Sequence, residues 1–334
     1  MEGGWLQHRP ASTAPDSMVP KALAFENAGH DEEVIVGQVL AIDVGGTFIK
    51  YALVDEGGVL TGKGKVPTPL EGLDDFIDAV QSIYQVFHGQ VAGIALSIPG
   101  VVDRDAGFMR SGGALEYNYG VPLAKLIEAR ILGVNVSIEN DGKAAVWAEM
   151  TSGALADCDS GAVVICGTAV GGGAFVGREV LRGRNFFAGE YSYISVGKAH
   201  ETDKTRWLGW ATGVPGLIKE YQHRSGETDI DGEELFARAD RGDEDALASL
   251  RRYCSELAVQ ILNIQCVLDP ERFAVGGGIS AQPLFLKILN EEIRDAKKFD
   301  DDVFPLPQVV ACRYFNDANL LGAVYNFRGQ FGSA

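Results

Sequence analysis

The sequence predicts an α/β fold of two domains, each organised around a mainly parallel sheet. Three observations carry that expectation. Apolar runs of strand length alternate with segments of helical period along most of the chain. Two units of strand, glycine-containing turn and strand stand about 120 residues apart, which suggests an internal duplication. The 334 residues are enough for two domains of ordinary size.

The first unit opens with Val39 to Val44, an apolar run whose one charge is Asp43. Gly45-Gly46-Thr47 forms the turn, and Phe48 to Val54 returns toward Asp55 and Glu56. Two strand-like runs around such a turn read as a β-hairpin. Glycine lets the backbone approach a ligand closely, so the amide N–H groups of the turn suit phosphate oxygens. Thr47 adds a hydroxyl donor, Lys50 a cation, and Asp43 a carboxylate suited to hydrated Mg²⁺. Taken alone, the segment also reads as a tight hairpin with chance charges.

Lys63 to Pro69 continues as a third strand and turn. Leu73, Phe76, Ile77, Val80, Ile83, Tyr84 and Phe87 follow a helical spacing, and Val91 to Ile98 is a buried strand ending at Pro99-Gly100. Val121 to Arg130 is a helix with Pro122 near its start. Val134 to Ile138 is the next strand, and Asp141 to Met150 the next helix. Asp141 thus stands at a carboxyl end of the sheet, where ligands of α/β proteins bind. Aspartate is also a favoured helix N-cap, and position alone favours that plainer role.

The second unit runs from the strand Gly161 to Cys166, through the glycine-rich segment Gly167-Thr168-Ala169-Val170-Gly171-Gly172-Gly173, to a strand at Ala174 to Val176. A strand follows the glycines where a phosphate loop or a dinucleotide fingerprint requires a helix, so it is neither. Phe186 to His200 is loop-rich, with a strand expected at Tyr193 to Val196. Helices fill Val214 to Arg224, Glu233 to Ala239 and Asp245 to Val267, the last ended by Asp269-Pro270. A short strand runs into Gly276-Gly277-Gly278, followed by a helix at Leu284 to Lys297, a strand at Gln308 to Arg313 and a closing helix at Asn319 to Phe327. Two hairpin turns, one from each half, offered to one nucleotide are the layout of the actin-like ATPase fold, whose two α/β domains close on ATP.

Composition narrows the class. Lys and Arg total 29 against 46 Asp and Glu, a net charge of −17 that repels nucleic acid and anionic lipid. Hydrophobic content of 46% with 22% charged residues is ordinary for a globular chain. Cys158, Cys166, Cys254, Cys266 and Cys312 have no paired C-x-x-C spacing, which reads as reduced thiols of a cytoplasmic protein. No apolar stretch is long enough to span a bilayer. Residues 1–36 carry Pro10, Pro15 and Pro20 and an acidic Asp31-Glu32-Glu33, and read as a poorly ordered extension.

Taken together, the motifs resemble the ROK family of sugar kinases and repressors, from about Val39 to Arg328. Asp43 to Lys50 resembles the family's first phosphate motif, with Gly45, Gly46 and Thr47 in the turn. Gly167 to Gly173 resembles the second, with Gly167, Thr168 and Gly171. Ala211-Thr212-Gly213 and Gly276-Gly277-Gly278 are similar to the segments beside adenosine. Ile94 to Gly100 resembles the sugar-side loop, carrying Ser97, Pro99 and Gly100. Ile138 to Ala145 resembles the strand-to-helix segment that holds the catalytic aspartate, here Asp141, beside a sugar-binding Asn140. Gly189-Glu190 is similar to a second sugar motif, with Tyr193 at the position of a further sugar contact. The resemblance implies an ATP- and Mg²⁺-dependent kinase acting on a small sugar in an interdomain cleft, with Asp141 as general base and Asp43 holding Mg²⁺ through water. It also implies a homodimer, and a final helix that returns to the first domain. The domains then span 37–140 plus 316–334, and 141–315.

Departures from the family pattern qualify this. Zinc-containing members place His where this chain has Tyr193, and follow it with a Cys-rich motif. Ser195 to Leu208 holds no Cys, and His200 is its one imidazole, too few for a four-ligand zinc site. No structural zinc is expected. A later sugar-binding Glu of the family falls at Leu208. Glu190, between aromatic neighbours, reads either as a ligand for vicinal hydroxyls or as half of a structural ion pair. Asp103 and Arg104 read as an ordinary turn. Loss of the polar pair at Tyr193 and Leu208, with Tyr191, Trp207 and Trp210 nearby, favours a β-glucoside such as cellobiose over glucose or N-acetylmannosamine. A sugar-responsive repressor is the other class; its winged-helix domain of about 70 residues has no counterpart in the 38 residues before Val39, which lack a basic stripe.

Overall fold

The computed structural model describes residues 37–197, 206–297 and 304–332. The expectations for residues 1–36 and for His200 lie outside them.

Strand β1 (Gln38–Val44) turns at Gly45 to Thr47 into the antiparallel β2 (Phe48–Val54), and β3 (Leu60–Pro67) pairs antiparallel with β2. Helix α1 (Leu73–Val86) leads to β4 (Val91–Ile98), which lies parallel to β1. A two-stranded ribbon of β5 (Val102–Asp103) and β6 (Phe108–Met109) and helix α2 (Leu123–Arg130) precede β7 (Asn135–Asn140), parallel to β4. The sheet order is β3-β2-β1-β4-β7. Alternation along the strands sorts the two faces. Leu40, Ile42, Ile94 and Leu96 pack under Phe76, Val80 and Ile127 of α1 and α2. Ala41, Ala52 and Ala95 point the other way, and their small side chains leave room for helices to lie close.

Two helices fill that room. Helix α3 (Asp141–Ser152) starts directly at the end of β7, its amide at Lys143 donating to the Oδ1 of its N-cap Asn140 at 3.0 Å. Then β8 (Ser160–Cys166) and β9 (Val170–Val176) form the second hairpin, with β10 (Glu179–Val180) at its edge. Helices α4 (Leu208–Ala211), α5 (Val214–Ser225), α6 (Gly232–Asp240) and α7 (Glu244–Leu268) follow, then β11 (Arg272–Gly276), α8 (Pro283–Ala296), β12 (Val309–Ala311) and α9 (Ala318–Phe331). The second sheet runs β10-β9-β8-β11-β12, again an antiparallel hairpin joined to parallel strands. The expected duplication is therefore visible as a repeated strand order.

Ala162, Val164, Phe273 and Val275 of the second sheet face a core with Leu217, Leu235, Leu257 and Phe285 of α5 to α8. Val163, Phe175 and Ala274 face instead toward α3 and α9, joining Ala145, Leu321 and Val324 in one cluster with Ala41 and Ala95 of the first sheet. The α3–α9 pair is thus packed between both sheets. This layering carries the start of α3, with Asn140 and Asp141, to the carboxyl edge of the first sheet beside the second hairpin. A side chain at Gly142 would collide with the carbonyl of Gly172 in β9, so this contact requires glycine.

One expected element is absent. Tyr193 to Val196 is not a strand: Tyr191–Tyr193 form a 3-10 turn, and Ser195 makes a single bridge to Trp207. The amides of Tyr193 and Ile194 donate to the carbonyls of Glu190 and Tyr191 at 3.1 and 3.0 Å, so the backbone is satisfied locally and has no ladder to join.

Candidate active site

Asn140 and Asp141 occupy the β7–α3 junction. Asn140 donates from Nδ2 to the Gly100 carbonyl at 2.9 Å, which ties the Pro99-Gly100 loop to the helix start. The same Nδ2 lies 3.0 Å from Asp141 Oδ1, and the Gly142 amide donates to that oxygen at 2.8 Å. Oδ2 of Asp141 has no hydrogen-bond partner among the described residues. Burial, reinforced by the charges of Glu190 and Asp43, raises the Asp141 carboxyl from 3.8 to about 6, against the opposing pull of the Gly142 amide and Lys143. One oxygen is held and one is available, on a carboxyl whose pKa has moved toward neutrality. That is the disposition of a general base.

Glu190 follows the loop of Phe186 to Gly189. Its Oε1 lies 2.7 Å from Lys143 Nζ, whose side chain is 2% exposed against 13% for Glu190. The ion-pair reading of Glu190 is therefore realised, and the pair joins α3 to the Gly189-Glu190 segment. Ser97 in β4 sits opposite Asp43 across the parallel ladder, buried, and its hydroxyl is among the groups that favour the charged Asp43 carboxylate.

Asp43 is the penultimate residue of β1, beside the first turn. Burial raises its pKa, while an Nδ2–H···Oδ1 bond from Asn319 of α9 at 3.0 Å and Lys50 Nζ at 3.8 Å from Oδ2 oppose the rise. Gly46 and Thr47 are exposed, and the turn is braced from outside by Thr68, whose hydroxyl donates to the Gly45 carbonyl at 2.7 Å. The second turn meets α5: the Val214 amide donates to the Gly167 carbonyl at 2.9 Å, and a side chain at Gly213 would strike the Thr168 carbonyl. Gly276 ends β11, and Gly277 and Gly278 turn away from it next to Cys166 at the end of β8. Gly167, Thr168, Gly213 and Gly277 thus come together at one end of the second sheet, and Gly171 lies just beyond in β9. A cavity of about 680 Å³ between α5 and α7, lined among others by Trp210, Gly216, Tyr253 and Gln260, includes none of these residues.

A family model described as "ROK family" matches residues 39–329. The chain belongs to the ROK family. A β-glucoside kinase of Listeria monocytogenes is 30% identical over 296 residues, covering 87% of this chain and 97% of that protein. A ROK family protein of Streptococcus pneumoniae, solved with sucrose, aligns with a TM-score of 0.78 at 27% identity, covering 89% of this chain and all 100% of that one. A ROK glucokinase of Streptomyces griseus, solved with glucose and AMPPNP, aligns with a TM-score of 0.73 at 26% identity over 86% of this chain and 98% of that one. The two-domain actin-like ATPase architecture follows from these neighbours and from the repeated sheet.

Against the ROK pattern, Leu208 is fully buried in the second core and Tyr191 is 5% exposed, its hydroxyl donating to the Gly173 carbonyl at 3.2 Å. Both are core residues here. Tyr193 is different: it is 47% exposed and packs against Phe187, Trp207 and Trp210 with ring centroids 5.1, 6.2 and 5.8 Å away. Asp103 accepts from the Ala106 amide and from Arg110, as befits a turn. No group of three or more His, Cys, Asp or Glu side chains is placed to hold a metal among the described residues. Sequence reasoning missed Lys143, Asn319 and the buried pair of Glu139 with Arg182, 2.7 Å apart, whose Glu139 Oε1 also accepts the Asn140 amide. A lysine amid the apolar Ala144, Ala145 and Val146 was a legible signal. Nothing local marked Asn319, which reaches Asp43 only through the fold.

Proposed function

We propose that this chain transfers the terminal phosphoryl group of ATP to the 6-hydroxyl of a β-glucoside such as cellobiose, with Asp141 as general base. The class, an ATP-dependent sugar kinase of the ROK family, follows from the family match and the kinases among its relatives. The base assignment is carried by one observation: Asp141 Oδ2 is free while Oδ1 is fixed by Asn140 and Gly142. Substrate OH transfers its proton to Oδ2 as the hydroxyl oxygen attacks the γ-phosphorus and the bond to the β-phosphate oxygen breaks. Phosphoryl transfer asks mainly for positioning and charge stabilisation.

The other residues fit that reading. The exposed Gly46 and Thr47 of the first turn, the Thr47 hydroxyl and Lys50 suit phosphate oxygens, with Gly45 closing the turn through its amide on the Phe48 carbonyl; Gly167, Thr168 and Gly171 suit them too, and Gly213 and Gly276 to Gly278 suit adenosine. Asp43 has Asn319 on one oxygen and Lys50 near the other, which leaves room for contact with a Mg²⁺ ion through water but not for a closed protein cage. Mg²⁺ supplies charge neutralisation on the transferring phosphate when bound. Ser97, Pro99, Gly100, Asn140 and Glu190 are the sugar side of the same reading. The domain limits 37–140 plus 316–334 and 141–315, a cytoplasmic homodimer and the absence of structural zinc belong to it too.

The β-glucoside preference rests on the aromatic surface around Tyr193, which offers stacking in place of hydrogen bonds at the sugar's reducing end. It also agrees with the β-glucoside kinase of Listeria monocytogenes. Glucose and N-acetylmannosamine are the rival substrates. A coupled assay of ATP consumption over cellobiose, glucose and N-acetylmannosamine tests it: the highest kcat/KM is expected for cellobiose, and an about tenfold preference for either monosaccharide overturns it.

A further inference from the structure

We infer that Lys143 is a positioning residue for sugar recognition, acting through Glu190. The inference rests on the sugar-side reading of Glu190 proposed above. Lys143 is the third residue of α3, two positions after Asp141, and its side chain is buried. A buried ammonium must be paired, and Glu190 Oε1 at 2.7 Å is the ion-pair partner the structure gives it. Glu190 stands on an irregular loop, between the positive-φ residues Phe186 and Gly189 and a 3-10 turn. A carboxylate on such a loop has no secondary-structure ladder to fix its orientation. Lys143 supplies that fixation from α3, the same helix that carries Asp141. The charge-assisted bond takes one carboxylate oxygen of Glu190, and Oε2 has no hydrogen-bond partner among the described residues.

The consequence is geometric. Asp141 and the anchor of Glu190 sit on one helical half-turn, so the base and the hydroxyl-binding carboxylate are fixed relative to each other. A sugar bound by Glu190 Oε2 is thereby indexed against the base. Removing the cation leaves Glu190 charged and unanchored, and sugar binding suffers while the ATP side, built on other elements, does not.

Steady-state kinetics of K143M, E190Q and the K143M/E190Q double variant, with cellobiose and glucose each as acceptor, test this. K143M and E190Q are each expected to raise the sugar KM by about tenfold with the ATP KM within about twofold, and the double variant to be no more than about threefold worse than E190Q, because both act through one contact. K143R is expected to recover most of the lost sugar affinity. Where K143M does not fold, K143Q, which keeps a donor for Glu190 without the charge, takes its place in the cycle. A sugar KM unchanged in K143M while E190Q raises it, or multiplicative losses in the double variant, overturns the positioning role alone. An E190Q variant with unchanged sugar KM overturns the sugar-side reading of Glu190, and the positioning role with it.

Discussion

Asn140 Nδ2 donates at once to the carbonyl of Gly100 and toward Asp141 Oδ1, at 2.9 and 3.0 Å. One side chain therefore fixes both the Pro99-Gly100 loop and the orientation of the aspartate that follows it. The arrangement explains how one junction serves as helix cap and site together. Asn140 Oδ1 caps α3 by accepting the Lys143 amide at 3.0 Å, which relieves Asp141 of the capping role that its position alone suggested.

Freed from capping, Asp141 is expected to act on the substrate. The D141N variant should keep its fold and its sugar affinity, because Asn can still accept the Gly142 amide, while kcat falls by roughly 10²–10⁴. Sugar binding followed by calorimetry and kcat by coupled assay check both halves. A variant retaining most of the wild-type kcat rules out the base assignment.

The raised pKa of Asp141 predicts two pH effects. A base must be ionised in the free enzyme, so kcat/KM should fall as pH drops through about 6. Stability follows with a definite sign. The folded-state pKa lies above the unfolded value of 3.8, so keeping the carboxylate ionised in the fold costs stability above about pH 6, and that cost fades as pH falls to 3.8 and below. D141N should therefore melt at a higher temperature than wild type near neutral pH, with the gap closing in acid. Calorimetric melting from pH 4 to 8 measures it; a constant gap across that range contradicts the burial argument.

Much of this was legible in the sequence. The hairpins, the parallel strands and most helices follow from apolar period, because the central strands are buried on both faces and the outer helices on one. The glycine turns and the strand-to-helix aspartate were readable as motifs, since their chemistry is local. What was not legible depends on tertiary approach. Asn319 reaches Asp43 across 276 positions of sequence, and Lys143 reaches Glu190 across 47. The Tyr193 segment misled because Tyr193, Ile194 and Val196 are strand-favouring residue types, whereas the amides of Tyr193 and Ile194 are satisfied locally in a 3-10 turn.

The Asn319–Asp43 contact leads to a metal prediction. Activity should require Mg²⁺ and survive a chelator selective for zinc, since the zinc-motif cysteines of the family are missing from Ser195 to Leu208. Loss of the Asn319 donor should loosen Asp43 and raise the Mg²⁺ concentration for half-maximal rate in N319A by about three- to tenfold. One equivalent of tightly bound zinc by elemental analysis, or an unchanged Mg²⁺ requirement in N319A, goes against these expectations.

The aromatic surface around Tyr193 gives the last prediction. Phe187, Tyr193 and Trp210 are each exposed by more than 40%, with Tyr193 packed against both of the others, and such an exposed aromatic group marks a surface used for binding. The rings flank Glu190 in sequence, Phe187 before it and Tyr193 and Trp210 after it, and the Tyr193 amide donates to the Glu190 carbonyl at 3.1 Å. On the proposed reading, a second glucose or an aglycone on the 1-position stacks there, and a lone glucose does not. Stacking is worth about 0.5–1.5 kcal/mol for each ring pair, or roughly three- to tenfold in affinity. Tyr193→Ala and Trp210→Ala should therefore raise KM for cellobiose by about three- to tenfold while changing KM for glucose by less than about twofold. Measuring both acceptors on the same preparation separates recognition from folding damage, because a damaged fold weakens both. Equal losses on cellobiose and glucose would assign these rings to the core of the loop and return the choice of sugar to the residues around Asn140.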